Sequence, residues 1–256
     1  MTATVSDLSS LSLVIPAYNE APRIAATLIT AVTYLAAQSY AAEIILVDDG
    51  SSDDTHATAA AAAAPYSMVR ILTIPHRGKA AALRAGMRAA TNDLVAFSDA
   101  DLATPLSYLE GMRQKLVGGC DVVIGSREGA MASRVGEPSY RHLMGRVFNL
   151  LVRALLLPGI QDTQCGFKLF RRSVLSDVLD RALLYGDSSQ PVQGPRVTAF
   201  DVELLLIARR LGFTICSVPV VWTYGTSSKV HPAWDTWHNV VDVLRVRFNA
   251  SRGRYG

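Results

Sequence analysis

Short apolar runs and amphipathic segments alternate along the first half of the chain. The apolar runs are rich in branched side chains and occupy Leu11–Pro16, Glu43–Asp48, Met68–Ile74, Leu94–Ser98 and Asp121–Ser126. Segments with helical periodicity lie between them, at Ala21–Ala37, Asp54–Ala64, Lys79–Ala90 and Leu106–Val117. Strands that alternate with helices predict a mostly parallel sheet, and nearly all-apolar strands predict helices on both faces of it. The sequence therefore predicts an α/β fold.

The second half of the chain is dominated by a long amphipathic segment, Tyr140–Leu157. Polar residues recur at i, i+4, i+7 and i+11, namely His142, Arg146, Asn149 and Arg153. Apolar residues cover the other side, namely Leu143, Met144, Val147, Phe148, Leu151 and Leu155. Two interpretations stay open: a helix that lies in a membrane interface and an ordinary helix that packs on the core.

The remaining segments predict a C-terminal helical elaboration of the same domain. A helix is expected at Asp201–Leu211, a strand at Thr214–Trp222 and a final helix at Ala233–Ala250, after a turn-rich loop at Asp187–Val197. The final helix carries an apolar stripe through Trp234, Trp237, Val241, Leu244 and Phe248.

Composition indicates one globular domain over residues 1–256. Half of the 256 residues are hydrophobic and 18% are charged, which excludes global disorder. The net charge of +3 is not arranged in a dense basic stripe, so nucleic acid is not an expected partner. Cys120, Cys165 and Cys216 are odd in number and far apart, which predicts neither a disulfide nor a metal site and favours a reducing cytoplasm.

Membrane contact is not excluded by this composition. The first residues lack a secretion signal, and no apolar stretch is long enough to span a bilayer. The segment Leu244–Gly256 holds four arginines and no acid, which suits an anionic membrane surface or, equally, a solvated terminus. If the protein works at a membrane, we expect it to lie on the surface or to bind a membrane-embedded partner.

Polar residues cluster where four of the predicted strands end. The clusters are Pro16–Glu20, Asp48–Ser52, Asp99–Asp101 and Ser126–Arg127. Ligands of open parallel sheets bind outside the carboxyl ends of the strands, so the four clusters predict one site at that edge.

The strongest chemical signal is the pair Asp99 and Asp101. Two carboxylates at the end of a buried strand repel each other unless a cation neutralises them. Mg²⁺ and Mn²⁺ prefer oxygen ligands and leave positions for phosphate oxygens, so we expect a divalent metal here. A solvated loop is the alternative for a D-x-D triplet taken alone.

Three further groups suit a nucleotide. A carboxylate of Asp48–Asp49 is placed to accept hydrogen bonds from a base, while Glu20 is either a helix-start residue or a ribose ligand. Lys79 begins a helix after Arg77 and Gly78, where charge and helix dipole both attract a diphosphate. The spacing matches neither a P-loop nor a dinucleotide fingerprint.

The motifs together resemble a known family. PAYNE (16–20), VDDGSSDDT (47–55), RGKAAALRAG (77–86) and FSDADLATP (97–105) are similar to the nucleotide-binding half of family 2 inverting glycosyltransferases. GSR (125–127), DTQCGFKLF (162–170), FDVELL (200–205) and SSKVHPAWDTW (227–237) resemble dolichyl-phosphate β-glucosyltransferases and bacterial polyprenyl-phosphate relatives. The resemblance implies a glycosyltransferase-A fold, with a nucleotide-sugar half at 11–127 and an acceptor half at 128–256.

The same resemblance implies an activity: metal-dependent transfer of a sugar, commonly glucose from UDP-glucose, to a polyprenyl phosphate, with a β-linked product. Together with the cysteine usage and the lack of a spanning stretch, it predicts a peripheral protein on the cytoplasmic face of a membrane. Nucleotide-sugar contacts are implied for Pro16, Ala17, Glu20, Asp48, Asp49, Lys79, Asp99, Ala100 and Asp101. Metal contacts are implied for Asp99 and Asp101. Acceptor-phosphate contacts are implied for Arg127, Arg141 and Lys168, and catalytic roles for Asp101, Arg127, Asp162, Asp201 and Glu203.

Two alternatives remain. A transferase of the same fold that acts on a soluble or glycan hydroxyl needs a carboxylate base, for which Asp162, Asp201 and Glu203 are candidates. A nucleotide-sugar-binding module without turnover is the other alternative, which the intact acid pairs disfavour.

Overall fold

A computed structural model describes residues 9–185, 198–225 and 232–255, with side chains from residue 237 onward in the last helix. The predicted loop Asp187–Val197 and the side chain of Trp234 therefore lie outside the described residues. The strands are β1 (Ser10–Ala17), β2 (Ala41–Asp48), β3 (Val69–Thr73), β4 (Leu94–Phe97), β5 (Val122–Ser126), β6 (Ser133–Val135), β7 (Lys168–Arg171), β8 (Ile215–Pro219) and β9 (Val221–Thr223). The helices are α1 (Ile24–Ala36), α2 (Thr55–Ala63), α3 (Lys79–Ala89), α4 (Tyr108–Val117), α5 (Ser139–Leu155), α6 (Arg172–Arg181), α7 (Phe200–Arg210) and α8 (Pro232–Ser251).

The predicted central sheet is confirmed and has seven strands in the order β3-β2-β1-β4-β7-β5-β8. Strands β3, β2, β1 and β4 are mutually parallel, and β5 is parallel to β8. Strand β7 is antiparallel to both of its neighbours, β4 and β5, so β5 runs in the same direction as β4. The ends of β1, β2, β4 and β5 therefore point to one edge of the sheet, which we call the carboxyl edge.

Helices cover both faces of the sheet, because alternate residues of each buried strand point to opposite sides. On one face, Leu13 and Ile15 of β1 join a core cluster with Leu28 of α1 and Leu109 of α4. On the other face, Val14 of β1 joins a cluster built from α3, α5, α6, α7 and α8. The C-terminal helices thus add to the helical layer on this face of the sheet.

Two features of the sheet differ from the sequence prediction. Strand β7 and helix α6 were not predicted, since β7 is only four residues long and begins with a lysine, Lys168. The predicted strand Thr214–Trp222 is divided at Val220: β8 joins the main sheet, whereas β9 pairs with β6 in a separate two-stranded sheet.

The expectation that the cysteines form no disulfide is wrong. Cys120 and Cys216 are bonded, although 96 residues separate them in the sequence. Parallel pairing of β5 with β8 brings them together, because Cys216 lies opposite Val123 and Cys120 precedes β5. Such long-range proximity leaves no signal in cysteine spacing. The cysteines therefore give no support to a reducing compartment.

Helix length and polarity bear on membrane insertion. Within residues 9–185, 198–225 and 232–255, the structure contains no helix with the length and apolar character that a bilayer crossing requires.

Candidate active site

The loops after β1 and β2 are joined into one rim at the carboxyl edge. The Asn19 amide donates to Ser51 Oγ at 2.9 Å, and the Ser52 amide donates to Asn19 Oδ1 at 2.8 Å. The Glu20 amide donates to Thr55 Oγ1 at 2.7 Å. Asn19 adopts a positive φ of 52°, which asparagine tolerates better than most residues. The short polar side chains thus fix two predicted clusters side by side.

Asp49 anchors the loop that leads into α3. Its carboxylate accepts hydrogen bonds from the amides of Arg77 at 2.9 Å and Gly78 at 2.8 Å, and it lies 2.7 Å from His76 Nδ1. The side chain is only 2% exposed. Asp48 accepts from the Ser51 amide at 3.0 Å. Both acids therefore shape the turns at this edge.

His76 has no role in the sequence prediction, and Tyr18 enters it only as a member of the cluster Pro16–Glu20. Their rings stack with centroids 3.8 Å apart and planes 5° from parallel. Gly50 has a φ of +65°, and a Cβ there would lie 2.8 Å from the His76 amide nitrogen, so the turn requires glycine. His76 follows a predicted strand end, which was the available signal for its place in the site.

Lys79 and Asp99 form an ion pair where α3 begins and β4 ends. Both side chains are partly exposed, 41% for Lys79 and 36% for Asp99. Burial lowers the pKa of Lys79, but the carboxylates of Asp99, Asp201 and Asp101 outweigh it and raise that pKa above its ordinary value. Lys79 is thus the cation of an acid-rich edge.

A glycine of the DTQCGFK motif lies directly against Asp99. A Cβ at Gly166 would sit 2.2 Å from Asp99 Oδ2, so any larger residue would displace the Asp99 carboxylate from this position. The motif of the second half therefore forms a wall of the acid site predicted from the first half.

Asp101 lies beside Asp99 and is more exposed. Its Oδ1 accepts a hydrogen bond from the Ala103 amide at 3.1 Å. Ala100 between them is buried, and its carbonyl accepts from Thr27 Oγ1 at 2.6 Å. Partial burial and the neighbouring Asp99 carboxylate raise the pKa of Asp101. The turn thus holds two carboxylates close enough to repel each other.

These two carboxylates fit a divalent cation of the Mg²⁺ or Mn²⁺ type. A cation would relieve the repulsion that raises the pKa of Asp101. The described part of the chain holds no cluster of three or more histidine, cysteine or acidic ligands. The remaining ligands would then be phosphate oxygens and water, as is usual for Mg²⁺.

Lys168 and Asp201 form a second, buried pair beside this edge. Lys168 is completely buried, and its Nζ lies 2.8 Å from Asp201 Oδ2 and 2.6 Å from the Cys165 carbonyl oxygen. Asp201 lies in the first turn of α7, where the helix dipole favours an anion. The carboxylate of Asp201 also helps to raise the pKa of Lys79, so its charge acts on both lysines.

Arg127 and Asp162 form a buried bidentate pair at the end of β5. Arg127 Nε and Nη2 donate to the two carboxylate oxygens at 2.7 and 2.8 Å, and its amide donates at 2.9 Å. The Asp162 side chain is fully buried. Burial raises the pKa of Asp162, but Arg127 outweighs it and holds that pKa well below its ordinary value.

Beside Arg127 lies a polar recess of about 590 Å³. Its arginines are Arg127, Arg134 and Arg146, its histidine is His142, and its acids are Glu128 and Glu137. Arg134 lies 2.9 Å from each acid.

The other two predicted residues lie apart from these pairs. Arg141 donates to Tyr224 Oη at 2.6 Å, in the chain segment that follows β9. Glu203 is completely buried, and it accepts hydrogen bonds from the Leu183 and Leu184 amides and from Tyr255 Oη at 2.8 Å. These contacts are those of a residue that holds the C-terminus to the core.

Residues 12–179 match the family described as Glycosyl transferase family 2. The chain belongs to this family. It is 33% identical to the human dolichyl-phosphate beta-glucosyltransferase, over 98% of this chain and 78% of that protein. It is 32% identical to the enzyme of the same name from Dictyostelium discoideum, over 93% of this chain and 74% of that protein. The protein is a glycosyltransferase, as its resemblance implied.

Solved structures confirm the glycosyltransferase fold. Glucosyl-3-phosphoglycerate synthase from Mycobacterium tuberculosis, solved with Mn²⁺, uridine diphosphate and phosphoglyceric acid, has a TM-score of 0.64. The match covers 95% of this chain and 82% of that one, at 21% identity. At this identity the likeness establishes the fold alone.

Proposed function

We propose that this glycosyltransferase moves glucose from UDP-glucose to a polyprenyl phosphate in a metal-dependent, inverting reaction. The proposal rests on the convergence of Lys79, Asp99 and Asp101 at the carboxyl edge, where the carboxylate of Asp201 also helps to raise the pKa of Lys79. The relatives named dolichyl-phosphate beta-glucosyltransferase support the sugar and the lipid phosphate. The Mn²⁺ and uridine diphosphate bound to the mycobacterial enzyme support the metal and the nucleotide.

The donor is assigned to the rim of the carboxyl edge. Pro16 and Ala17 end β1, and Glu20 lies on the loop that is tied to the end of β2. Asp48 and Asp49 shape the base-binding turn through their hydrogen bonds to backbone amides. The uracil would then meet a preformed surface that includes the stacked rings of Tyr18 and His76.

The diphosphate is assigned to the position between Lys79 and the acid pair. Lys79 begins α3, so its charge and the helix N-terminus act on the leaving group together. A divalent cation held by Asp99 and Asp101 would supply Lewis-acid stabilisation of the charge on the leaving diphosphate. Lys79 is freed from Asp99 at little cost, because partly exposed pairs contribute little stability.

The acceptor is assigned to the basic side chains of the second half. Asp162 fixes the Arg127 guanidinium through two parallel hydrogen bonds, which orients it for a phosphate. Arg141 is the other proposed contact to the acceptor phosphate. Lys168, expected in the same role from sequence, is completely buried and paired with Asp201, so we assign it to holding Asp201 in place. We assign Asp201, which pairs with Lys168 and helps to raise the pKa of Lys79, to the side of the transferred sugar. We assign Glu203 a packing role in place of the catalytic one, because its hydrogen bonds lie in the core.

The reaction needs no strong base. A phosphate monoester is largely ionised near neutral pH, because its second pKa is about 6. Its oxygen attacks the anomeric carbon in line as the bond to the nucleoside diphosphate breaks, so an α-linked donor gives a β-linked product. The acceptor's lipid chain implies a peripheral position on a membrane, for which we propose the cytoplasmic face.

Radiolabelled UDP-glucose and a polyprenyl phosphate in detergent test this function, with Mg²⁺ or Mn²⁺ and with a chelator. We expect label in the lipid phase only with metal. The matched variants are Asp101→Asn and Asp180→Asn, since Asp180 is a partly exposed, ion-paired carboxylate of α6. Activity should fall with the first alone. Transfer that persists with the chelator would overturn the proposed dependence on metal. Binding of UDP-glucose without a lipid product would point to a hydroxyl acceptor.

A further inference from the structure

Helix α5 turns apolar side chains towards solvent. Tyr140, Leu143, Val147 and Leu150 are 57 to 64% exposed, and their spacing places them in one stripe. On the opposite side the helix buries Asn149 along with Phe148 and Val152. An ordinary amphipathic helix of a soluble protein exposes its polar residues and buries its apolar ones.

Helix α8 shows the same arrangement. Trp237, Leu244 and Phe248 belong to the apolar stripe expected from sequence, yet they are 65, 52 and 51% exposed. The polar residues Asn239 and Asp242 are buried instead. The stripe of α8 therefore faces outward.

The two helices pack against each other. Arg247 of α8 donates to the Leu155 carbonyl oxygen of α5 at 2.6 Å. We define the α5–α8 surface as the exposed apolar residues of both helices: Tyr140, Leu143, Val147, Leu150, Trp237, Leu244 and Phe248.

Exposed arginines accompany this surface, namely Arg146, Arg153, Arg245, Arg247, Arg252 and Arg254. Helix α5 contains no acidic residue. Asp242, the acid among the described side chains of α8, is 2% exposed. Arg146 pairs with Glu128 and Arg245 with Asp242. The charged side chains described as exposed on the two helices are therefore all positive, and two of them have an acidic partner.

We infer that the α5–α8 surface docks on the surface of an anionic lipid bilayer. Exposed aromatic and aliphatic residues bordered by arginine match the chemistry of the headgroup region. A second copy of the chain fits less well, because pairing two such surfaces would oppose like-charged arginines. Since His142 and Arg146 of α5 also line the recess beside Arg127, docking would bring headgroup phosphates close to the proposed acceptor site. The inference deepens the proposed function and rests on its lipid acceptor.

Vesicle flotation of the full chain tests the surface without any turnover. The vesicles are zwitterionic phosphatidylcholine alone or mixed with anionic phosphatidylglycerol. We expect flotation with the mixed vesicles, and about tenfold weaker partitioning for each of Leu143→Gln and Leu244→Gln. Arg153→Gln and Arg252→Gln should each weaken binding about fivefold on anionic vesicles only. Ile29→Gln and Val117→Gln, at 48 and 55% exposure on other helices, should leave flotation unchanged.

Circular dichroism checks that each variant is folded, and sedimentation velocity measures self-association. Flotation that is absent, or unaffected by Leu143→Gln and Leu244→Gln, overturns the inference. A dimer that these substitutions dissociate assigns the surface to a second copy and also overturns it. The proposed function and the docking surface can fail separately. Wild-type protein that floats but transfers no sugar in detergent refutes the polyprenyl phosphate acceptor and leaves the docking surface standing. Protein that transfers sugar in detergent but does not float refutes the docking surface and leaves the acceptor standing.

Discussion

Two pairs of a basic side chain with an aspartate occupy different environments in this glycosyltransferase. Lys79 and Asp99 meet at the rim of the carboxyl edge, with both side chains more than a third exposed. Arg127 and Asp162 meet below the surface, where Asp162 is fully buried and its two oxygens are taken by the guanidinium. An exposed pair contributes little to stability, whereas a buried pair is costly to break from one side.

We therefore assign ligand binding to the partly exposed pair, Lys79 and Asp99, and a mainly structural role to the buried pair, Arg127 and Asp162. A ligand can replace Asp99 as the partner of Lys79, because water already solvates both groups. Arg127 cannot leave Asp162 without burying an unpaired charge, so it can only present its guanidinium in a fixed orientation. We therefore expect changes at the first pair to affect activity and changes at the second to affect folding first.

Asp162→Asn should have the largest effect, a loss of about 3–5 kcal/mol in the free energy of unfolding, because it leaves the Arg127 charge buried and unpaired. Asp162 has a lowered pKa, so its contribution is present above the ordinary carboxyl pKa of about 4 and is lost as the pH falls below it. Urea denaturation of wild type and variant between pH 3 and 7 measures the loss of stability and its dependence on pH. Asp180→Asn serves as the exposed control, and a loss below about 1 kcal/mol at pH 7 would remove the contrast between the pairs.

Asp101→Asn should lower kcat about 100- to 1,000-fold, because charge on the leaving diphosphate loses its stabilisation. Stability should change by less than about 1 kcal/mol, and should not fall, since the raised pKa shows that the ionised carboxylate is disfavoured in the folded protein. Steady-state kinetics with Mg²⁺ measures the first, and thermal unfolding without metal measures the second. A variant with wild-type kcat would mean that the acid pair holds no catalytic metal.

Lys79→Gln should raise the KM for the donor about tenfold, since one charge on the diphosphate is lost. The free energy of unfolding should change by less than about 1 kcal/mol, because the pair with Asp99 is partly exposed. Donor titration and urea denaturation of the same preparation test both halves. Marked destabilisation with an unchanged KM would reverse the roles given to the two pairs.

Glu203→Gln should have the smallest effect and keep its activity. Burial raises the pKa of Glu203 above its ordinary value. The free energy of unfolding is therefore highest while this carboxyl is neutral, and it falls as the pH rises from the ordinary carboxyl pKa of about 4 through the raised pKa of the folded protein. At pH 8 the Glu203→Gln variant should therefore be at least as stable as wild type. At pH 4, where the wild-type carboxyl is neutral in the folded protein, the variant should lose this advantage. Glu203→Ala, which loses the contacts to Leu184 and Tyr255, is the destabilised control. A tenfold loss of kcat in stable Glu203→Gln would restore a catalytic role.

The sequence allowed prediction of features that depend on local order. Apolar runs and the polar residues after them located β1, β2, β4 and β5 and their common edge. Features that depend on distant partners were missed. Strand β7 begins with Lys168, and a charged residue is not expected in a buried strand. Lys168 is buried because Asp201, from a helix later in the chain, neutralises its charge. The Cys120–Cys216 bond depends on the pairing of β5 with β8. The outward orientation of the α8 stripe likewise depends on what its other side contacts.

The carboxyl edge should bind a divalent metal together with a nucleoside diphosphate. Electron paramagnetic resonance of Mn²⁺ titrated into the protein with UDP measures this directly, without turnover. We predict one tightly bound Mn²⁺ per chain for wild type and for Asp180→Asn. The double variant with Asp99→Asn and Asp101→Asn should show no tightly bound Mn²⁺. Undiminished Mn²⁺ binding by the folded double variant would contradict the account.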